Sequence, residues 1–209
     1  VSGNLGITLA RGEYVALVNS ADVVTPSGSR LLMEEALSSD ADIAVGRAAR
    51  LSEKGLSAVA FLYEPYAWSQ RRRLDAVHEF IDLHHDGFYW NKVFRTAFLR
   101  EHGLGMVPGL LYADRPFVHA AYWHSRRTAI ITDLVYLWRV REGGQAPSIT
   151  QNLRQADNFR DRLRSARIEW ERFADIPEAH AWRDAIAVSN LQRALFAASA
   201  VVASPSFRA

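Results

Sequence analysis

The start of the chain shows apolar and polar segments in an order that predicts a strand, a helix and a second strand. Residues 13–19 form a nearly continuous apolar run, typical of a strand covered on both faces in a parallel sheet. Residues 25–39 follow as an amphipathic helix, and residues 42–46 form a second apolar run. This order predicts a right-handed βαβ unit. We expect residues 14–18 to be a central strand, with Asp22 just beyond its carboxyl end.

The middle of the chain continues with short predicted elements. Residues 71–83 place apolar side chains on one side of a helix, and residues 90–94 predict a short strand. Residues 96–102 predict a helix that ends at a glycine, and residues 113–124 predict another helix. Residues 128–141 alternate and predict an extended segment. Together these elements predict an α/β fold with a mostly parallel sheet flanked by helices.

The last part of the chain has a different pattern. Apolar residues recur every three or four positions over residues 153–173, which predicts an amphipathic helix. Pro177 ends this helix, and residues 178–202 predict a second one, so that the two form a helical hairpin. We therefore divide the chain into an α/β domain at residues 1–151 and the hairpin at residues 152–209. An alternative is that the hairpin serves mainly as an interaction module.

Composition excludes several classes of protein. The 209 residues are 49% hydrophobic and 23% charged, which excludes a wholly disordered chain, collagen and a coiled-coil rod. No apolar run approaches the ~20 residues of a membrane-spanning helix. Without cysteine, the chain has no disulfide, thiolate metal site or cysteine nucleophile. A formal net charge of +2 is too small to indicate a nucleic-acid partner.

The start at Val1 shows neither an initiator Met nor a signal peptide, so we expect a piece of a longer protein.

Two polar stretches carry candidate chemistry. The first, Asn19-Ser20-Ala21-Asp22, follows the predicted first strand, where ligands bind in open α/β sheets. Asp22 could hold a divalent metal ion there and, through it, a diphosphate, although the same residue types also favour a solvated turn. The second stretch contains Asp114 at a predicted helix start. It could act as a general base at the mouth of a pocket or as the helix N-cap, and the two roles are compatible.

Basic and histidine-containing segments supply further candidates. Arg139 and Arg141 lie on one face of the predicted extended segment, where they would contact an acceptor or a phosphate, or keep a strand edge soluble. Arg71–Arg73 would meet a phosphate or an anionic membrane, or simply begin a solvated helix. His84 and His85 suggest a metal cluster, but adjacent side chains on a helix point apart, so we expect no metal there.

Four segments have the order and spacing of a known motif series over about residues 2–151. Residues 4–22 run into the polar stretch at Asp22, and residues 90–95 contain Asn-Lys-Val-Phe-Arg. Residues 109–117 contain Tyr-Ala-Asp-Arg-Pro-Phe, and residues 136–141 read Tyr-Leu-Trp-Arg-Val-Arg. In this order they resemble the DxD region, the N-K-[LV]-F-R element, the G-x-x-Y-E-D-x-P-F element and the closing segment of inverting family 2 glycosyltransferases of the GT-A fold.

The resemblance implies transfer of a sugar from a nucleotide-sugar donor to an acceptor hydroxyl by inverting displacement. The helical tail is similar to that of actinobacterial cell-wall polymer enzymes, some of which are fused to a CDP-glycerol glycerophosphotransferase. A polymer or lipid-linked acceptor, a cytoplasmic location and peripheral association with the inner face of the plasma membrane are therefore implied. By matching position, Asp114 is the implied catalytic base, Asn4, Asn19, Asp22 and Lys92 are the implied donor-binding residues, and Asp22 is the implied ligand of Mg²⁺ or Mn²⁺.

The chain departs from the family pattern in several ways, one of which is Gly3, where the family commonly has Arg before Asn4. The family usually has D-[AS]-D-D where this chain has Asn19-Ser20-Ala21-Asp22, and its E-D pair is Ala113-Asp114 here. The first βαβ unit of the family, which binds the nucleotide base, would lie upstream of Val1. These departures leave open an alternative of another class, a non-catalytic relative that binds a nucleotide sugar, a polymer or a protein partner.

Overall fold

The computed structural model describes residues 2–59, 67–140 and 155–202, which form a mixed α/β fold. Six α-helices within these ranges span Ser2–Leu9 (α1), Gly28–Ser39 (α2), Thr96–Glu101 (α3), Asp114–His124 (α4), Ala156–Phe173 (α5) and His180–Val202 (α6). The strands span Tyr14–Val15 (β1), Val23–Val24 (β2), Ile43–Ser52 (β3), Gly55–Ala58 (β4), Arg72–Leu74 (β5), Lys92–Arg95 (β6) and Thr128–Arg139 (β7). Two 3₁₀ segments span Val77–His85 and Pro177–Ala179.

The strands form one mixed sheet in the order β1, β6, β3, β7 and β2, with β4 added to β3 and β5 added to β7. Among the six pairs of described strands, β3 and β7 run parallel and the other five pairs are antiparallel. The α/β class is therefore confirmed, but the expectation of a mostly parallel sheet is wrong. Continuous apolar strands indicate that both faces of a sheet are covered, and antiparallel strands covered in this way look the same in sequence.

Strand β1 lies at one end of this order among the described strands, not at the centre where we expected residues 14–18. Only Tyr14 and Val15 pair with β6, and Val18 is exposed. Because β1 and β3 are both antiparallel to β6, they run in the same direction with β6 between them. The predicted βαβ unit is thus present with one strand inserted. Asp22, however, directly precedes β2, at the opposite end of the strand order from β1, and not just beyond the carboxyl end of a strand at 14–18 as we expected.

Successive residues of β3 enter two buried clusters, one on each face of the sheet. Ile43 and Val45 belong to the larger cluster, which includes side chains from α1, α3, α4, α5 and α6. Ala44 and Ala48 belong to the other cluster, which α2 covers through residues such as Ala36. This alternation follows the pleat of the strand. Both faces of the sheet are therefore buried, as the apolar runs predicted.

Residues 71–83 do not form the predicted helix. Arg72–Leu74 pairs with β7 as strand β5, and a 3₁₀ segment begins at Val77. Leu74 and Val77 are both buried in the larger cluster. A strand followed by a 3₁₀ segment therefore buries the same apolar side chains as a helix would. For this reason the spacing of apolar residues could not distinguish the two structures.

The predicted helical hairpin is present as α5 and α6. It packs against α4 and the Val77–His85 segment, with Phe173 and Trp182 in the larger cluster. The domain boundary predicted at residues 151–152 lies outside the described residues and stays a prediction. None of the described helices combines the length and apolar character needed to cross a bilayer.

Candidate functional site

A hydrogen-bond network surrounds the carboxylate that follows β1. Asp22 Oδ2 accepts from the Tyr136 hydroxyl at 2.8 Å and from Asn19 Nδ2 at 2.9 Å. Asp22 Oδ1 accepts from the backbone N–H of Arg139 at 2.9 Å. The Tyr89 hydroxyl donates to Asn19 Oδ1 at 2.5 Å, and the Asn19 N–H donates to the Tyr136 oxygen at 3.2 Å. We call Asn19, Asp22, Tyr89 and Tyr136 the Asp22 network.

The two tyrosines of the network act as hydrogen-bond donors at neutral pH. Burial raises the pKa of Tyr136, and its hydrogen bond to Asp22 raises it further. Burial also raises the pKa of Tyr89, with added contributions from the charges of Asp114 and Asp22. Both hydroxyls therefore keep their protons, with Tyr136 donating to Asp22 and Tyr89 donating to Asn19. Neither tyrosine was predicted from the sequence, although Tyr136 begins the quoted segment 136–141 and Tyr89 directly precedes the segment 90–95.

The Asp22 network does not fit a divalent cation. Mg²⁺ prefers about six oxygen ligands in near-octahedral geometry, and carboxylates supply most of the charge that proteins offer it. Asp22 is the one carboxylate of this network, because Asn19 and Ala21 occupy the other positions where the family has acids. Both Asp22 oxygens already accept from O–H or N–H groups, whose positive ends would lie against a cation. The chemistry proposed below therefore uses the protein's own groups.

A different group among the described residues brings three potential metal ligands within 4.8 Å of one another, namely Asp82, His84 and His85. The two rings do not point apart as we expected for a helix, since their centroids are 3.8 Å apart on the 3₁₀ segment. Burial, and then the charges of His84, Arg193 and Arg115, lower the pKa of His85 to about 3. The same arginine charges oppose a cation at this position.

Asp114 is the first residue of α4. The N-cap position is Ala113, so the alternative role of Asp114 as N-cap is wrong. The Asp114 carboxyl nevertheless accepts hydrogen bonds from the backbone N–H groups of Asp114 and Arg115 in the first turn. Burial raises the pKa of Asp114, and the charge of the neighbouring Arg115 and these hydrogen bonds act to lower it. This burial works against the ionised state that we expected from the helix N-terminus alone. Asp114 and Asp22 both act on the Tyr89 hydroxyl, so the structure brings the two carboxylates to one region.

Lys92 is not placed to contact a ligand in this structure. Its side chain has 0% exposure, and its ammonium donates to Asp86 Oδ2 at 2.9 Å, to Asn91 Oδ1 at 2.7 Å and to the Phe88 carbonyl. Burial lowers the pKa of Lys92 to about 8, against the opposing effect of Asp86. Asp86 also accepts from the Tyr122 hydroxyl of α4 at 3.3 Å. Lys92 therefore holds the segment that carries Tyr89 in place. The resemblance implied that Lys92 contacts the nucleotide-sugar donor directly, but in this structure its role is to position that segment.

Asn4 is likewise engaged within the protein. Its Nδ2 donates to the Met106 carbonyl at 2.8 Å, and its Oδ1 accepts from the Met106 N–H at 2.8 Å. Both ends of the amide thus hold α1 to the segment after α3, and the binding of a nucleotide-sugar donor by Asn4 stays a prediction. Arg139 ends β7 beside Asp22 with an exposed side chain, where a phosphate contact stays a prediction. Arg141 lies outside the described residues.

Helix α5 buries a stripe of polar residues, although the sequence pattern predicted an amphipathic helix with apolar residues on its buried face. Asn158, Ser165 and Glu169 are buried, whereas the apolar Leu163 and Trp170 are 46% and 45% exposed. The stripe binds the segment before Asp114, because the Ser165 hydroxyl donates to the Tyr112 carbonyl at 2.8 Å and the Tyr112 hydroxyl donates to Asn158 Oδ1 at 2.5 Å. Polar residues recurring at 158, 165 and 169 were the available signal. The hairpin thereby helps to position Asp114.

The sequence matches no protein-family model, and no curated protein sequence matches it. Solved structures are similar to it. The S. aureus TarS fragment 1-349 in complex with UDP-GlcNAc matches with a TM-score of 0.64 and 19% identity, over 91% of this chain and 51% of the fragment. The same fragment solved as TarS 1-349 alone matches with a TM-score of 0.62 and 16% identity, over 88% of this chain and 48% of the fragment.

The S. aureus TarS structure matches with a TM-score of 0.62 and 18% identity, over 91% of this chain and 30% of TarS. The chain thus spans about half the length of the TarS fragment 1-349 in both structures and less than a third of TarS. At these identities the likeness concerns the fold. The curled mixed sheet, the helices on both of its faces and the terminal helices are those of a GT-A-like fold.

Proposed function

We propose that this chain is part of a glycosyltransferase that moves a sugar from a nucleotide-sugar donor to an acceptor hydroxyl in the synthesis of a cell-wall polymer. The observation that carries the proposal is the GT-A-like fold, in which the hydrogen-bonded Asp22 network lies within electrostatic range of Asp114. The structurally similar TarS fragment 1-349 has been solved in complex with UDP-GlcNAc, which supports a nucleotide-sugar donor. The cell-wall polymer as acceptor rests on the resemblance given in the sequence analysis.

The proposed reaction is an inverting displacement with Asp114 as the general base. The acceptor oxygen forms a bond to the anomeric carbon while the bond from that carbon to the donor diphosphate breaks. Asp114 takes the proton of the acceptor hydroxyl, and the diphosphate leaves with the electron pair of the broken bond. Because burial raises the pKa of Asp114, its affinity for this proton is higher than that of an exposed carboxylate.

The test is the rate of sugar transfer from UDP-GlcNAc by the full-length protein with Asp114→Asn. Loss of a general base lowers turnover by ~10²–10⁴-fold, and we expect this loss with donor affinity nearly unchanged. The matched control is Asp157→Asn, which makes the same change at a side chain that is 85% exposed, and it should leave turnover unchanged. Transfer by Asp114→Asn at the parent rate would show that the base lies elsewhere.

The pH dependence supplies a second readout of the same assay. A base must be ionised to accept a proton, so turnover should fall as the pH is lowered through the pKa of Asp114. Because that pKa is raised, the acidic limb should lie above the ordinary range of an aspartate. Asp114→Asn should lack this limb.

One observation favours a second candidate function, a non-catalytic domain that binds a nucleotide sugar or a polymer. Both oxygens of Asp22 are already occupied by hydrogen bonds within the protein. The two candidates differ in a single measurement on the full-length protein. A binding domain takes up UDP-GlcNAc and releases it unchanged, whereas the enzyme transfers its sugar.

The proposal extends to the location expected from the resemblance. A protein that uses a nucleotide sugar for a cell-wall polymer would act in the cytoplasm, in peripheral contact with the inner face of the plasma membrane. Cell fractionation at low and high salt would test this, because peripheral electrostatic binding is weakened by salt. A fused glycerophosphotransferase domain stays a prediction.

A further inference from the structure

The guanidinium of Arg115 is buried without hydrogen bonds. Arg115 is 5% exposed, and none of its three nitrogens has a hydrogen-bond partner among the described residues. Arg115 forms an ion pair with Glu169, in which Arg115 Nε lies 3.8 Å from Glu169 Oε2. That oxygen already accepts from Asn190 at 2.6 Å, and the other oxygen is bonded to His119 Nδ1. A buried arginine with five unmet N–H donors requires an explanation such as a bound anion.

Two further arginines adjoin Arg115 from the helical hairpin. Arg162 of α5 donates to the Tyr112 hydroxyl at 2.8 Å and stacks with its guanidinium carbon 4.2 Å from the Tyr112 ring centroid. Its Nε has no hydrogen-bond partner among the described residues. Arg193 of α6 is half-buried, and burial together with the charges of Arg115 and Arg162 lowers its pKa to about 9. Arg115 and Arg162 therefore each lie within electrostatic range of Arg193.

Acidic groups also act on these arginines. Asp114 and Glu169 act on Arg193 as opposite charges, whereas Arg115 and Arg162 act on it as like charges. Glu169 is itself bonded to His119 and Asn190 and paired with Arg115. Arg115 of α4 and Arg193 of α6 both act on Asp114, and Arg162 of α5 acts on Arg193. Arginine forks match the oxygens of a phosphate in charge and in geometry.

We propose that Arg115, Arg162 and Arg193 bind a phosphate group beside Asp114. The proposal rests on the proposed function for its role, since the phosphate would belong either to the donor diphosphate or to a phosphate of the acceptor polymer. In both cases the bound oxygens satisfy the unmet donors of Arg115, while Arg162 and Arg193 supply the half-buried side from which the ligand enters. The Asp22 network has one carboxylate and does not fit a metal ion. The positive charge that offsets the charge of the bound phosphate would then come from Arg115, Arg162 and Arg193.

The test is calorimetric titration of the full-length protein with inorganic phosphate, in EDTA and at low salt. Wild type should bind phosphate, and Arg162→Gln should weaken binding by about tenfold or more, because charge-assisted hydrogen bonds to phosphate are lost. The matched control is Arg160→Gln, which removes the same charge from the same helix at a side chain that is 74% exposed. It should change the affinity by less than about twofold, as expected for a screened surface charge.

A second variant protects the test against misfolding. Arg115→Lys keeps the buried charge but removes the fork, so phosphate affinity should fall while the melting temperature is compared with that of wild type. If Arg115→Lys does not fold, the half-buried Arg162→Gln carries the result. Absence of phosphate binding by wild type, or equal losses in Arg162→Gln and Arg160→Gln, would overturn the proposal.

Competition separates the two sources of the phosphate. Displacement by UDP and not by uridine assigns the site to the donor diphosphate, and displacement by glycerol 3-phosphate and not by glycerol assigns it to the acceptor. Displacement by neither would overturn a role in sugar transfer. Phosphate that binds through Arg162 in a protein that transfers no sugar contradicts the proposed function alone. Sugar transfer by a protein that binds no phosphate contradicts this inference alone.

Discussion

Glu169 shows how a single residue can remain charged inside the hairpin. Burial by itself raises the pKa of Glu169, but Arg115, His119 and the bond from Asn190 bring it below the ordinary value. A carboxyl group whose folded pKa is lowered contributes stability above its unfolded pKa, and this stability is lost as the pH falls through the folded pKa. The contribution of Glu169 is therefore complete at neutral pH and disappears on the acidic side of the ordinary carboxyl range.

We expect Glu169→Gln to lower the free energy of unfolding by about 3–5 kcal/mol at neutral pH, because it leaves Arg115 buried without its ion-pair partner. The measurement is urea unfolding followed by circular dichroism. Glu171→Gln is the control on the same helix, since Glu171 pairs with Arg167 at the surface and should cost ~0.5 kcal/mol or less. The difference between the variants should shrink in acid. Equal costs at neutral pH would contradict the structural role given to Glu169.

At the scale of elements, α2 meets β7 at a glycine. A Cβ on Gly28 would lie 2.5 Å from the Val135 carbonyl oxygen and 3.0 Å from Val135 Cα. These are backbone atoms of a paired strand, so they cannot move aside as a flexible side chain could. The glycine therefore sets the distance between this helix and the sheet.

Gly28→Ala should destabilise the protein by roughly 1–3 kcal/mol, the usual cost of overpacking. Gly6→Ala in α1 is the control, because a Cβ there meets nothing within 4 Å. It should be neutral or stabilise the fold by up to ~1 kcal/mol through helix propensity. Thermal unfolding of the two variants would measure the contrast. A Gly28→Ala protein as stable as wild type would show that α2 and β7 separate without cost.

The elements also show what local sequence can predict. The strand at 92–95, the helix at 114–124 and the hairpin were predicted, because each has a periodic pattern bounded by its own turn or capping signals. The segment at 71–83 was not, because strand and 3₁₀ geometry bury the same apolar positions. The buried face of α5 was assigned to its apolar residues, since nothing local indicates that Tyr112 and Arg115 face its polar stripe.

At the scale of the whole molecule, the candidate site depends on partners that are far apart in sequence. Asp114 and Asp22 could be chosen from the sequence because each follows a recognisable element boundary. The Tyr136 hydroxyl that occupies Asp22 is 114 residues away from it, and the amide of Asn4 pairs with a backbone 102 residues away. The spacing of apolar and polar residues along the sequence does not indicate hydrogen bonds between residues so far apart. Position in a motif therefore identified the region of the site but not what each side chain does there.

The metal requirement can be tested on the whole molecule without measuring activity. We expect Mn²⁺ titration followed by electron paramagnetic resonance to give the same binding curve for wild type and Asp22→Asn, because both Asp22 oxygens already accept hydrogen bonds from the protein. The double variant Asn19→Asp, Ala21→Asp supplies additional carboxylates and should bind at least one more Mn²⁺. Weaker Mn²⁺ binding in Asp22→Asn than in wild type would show that Asp22 is a metal ligand after all.

The carboxylate of Asp86 joins the two sides of the candidate site from behind. It accepts from Lys92 and Asn91, which flank the segment carrying Tyr89, and from Tyr122 on the helix that begins with Asp114. The spacing between Tyr89 and Asp114 is therefore set inside the core while the chain folds. A ligand that arrives at this surface meets groups already preorganised, so little of its binding free energy is spent on ordering them.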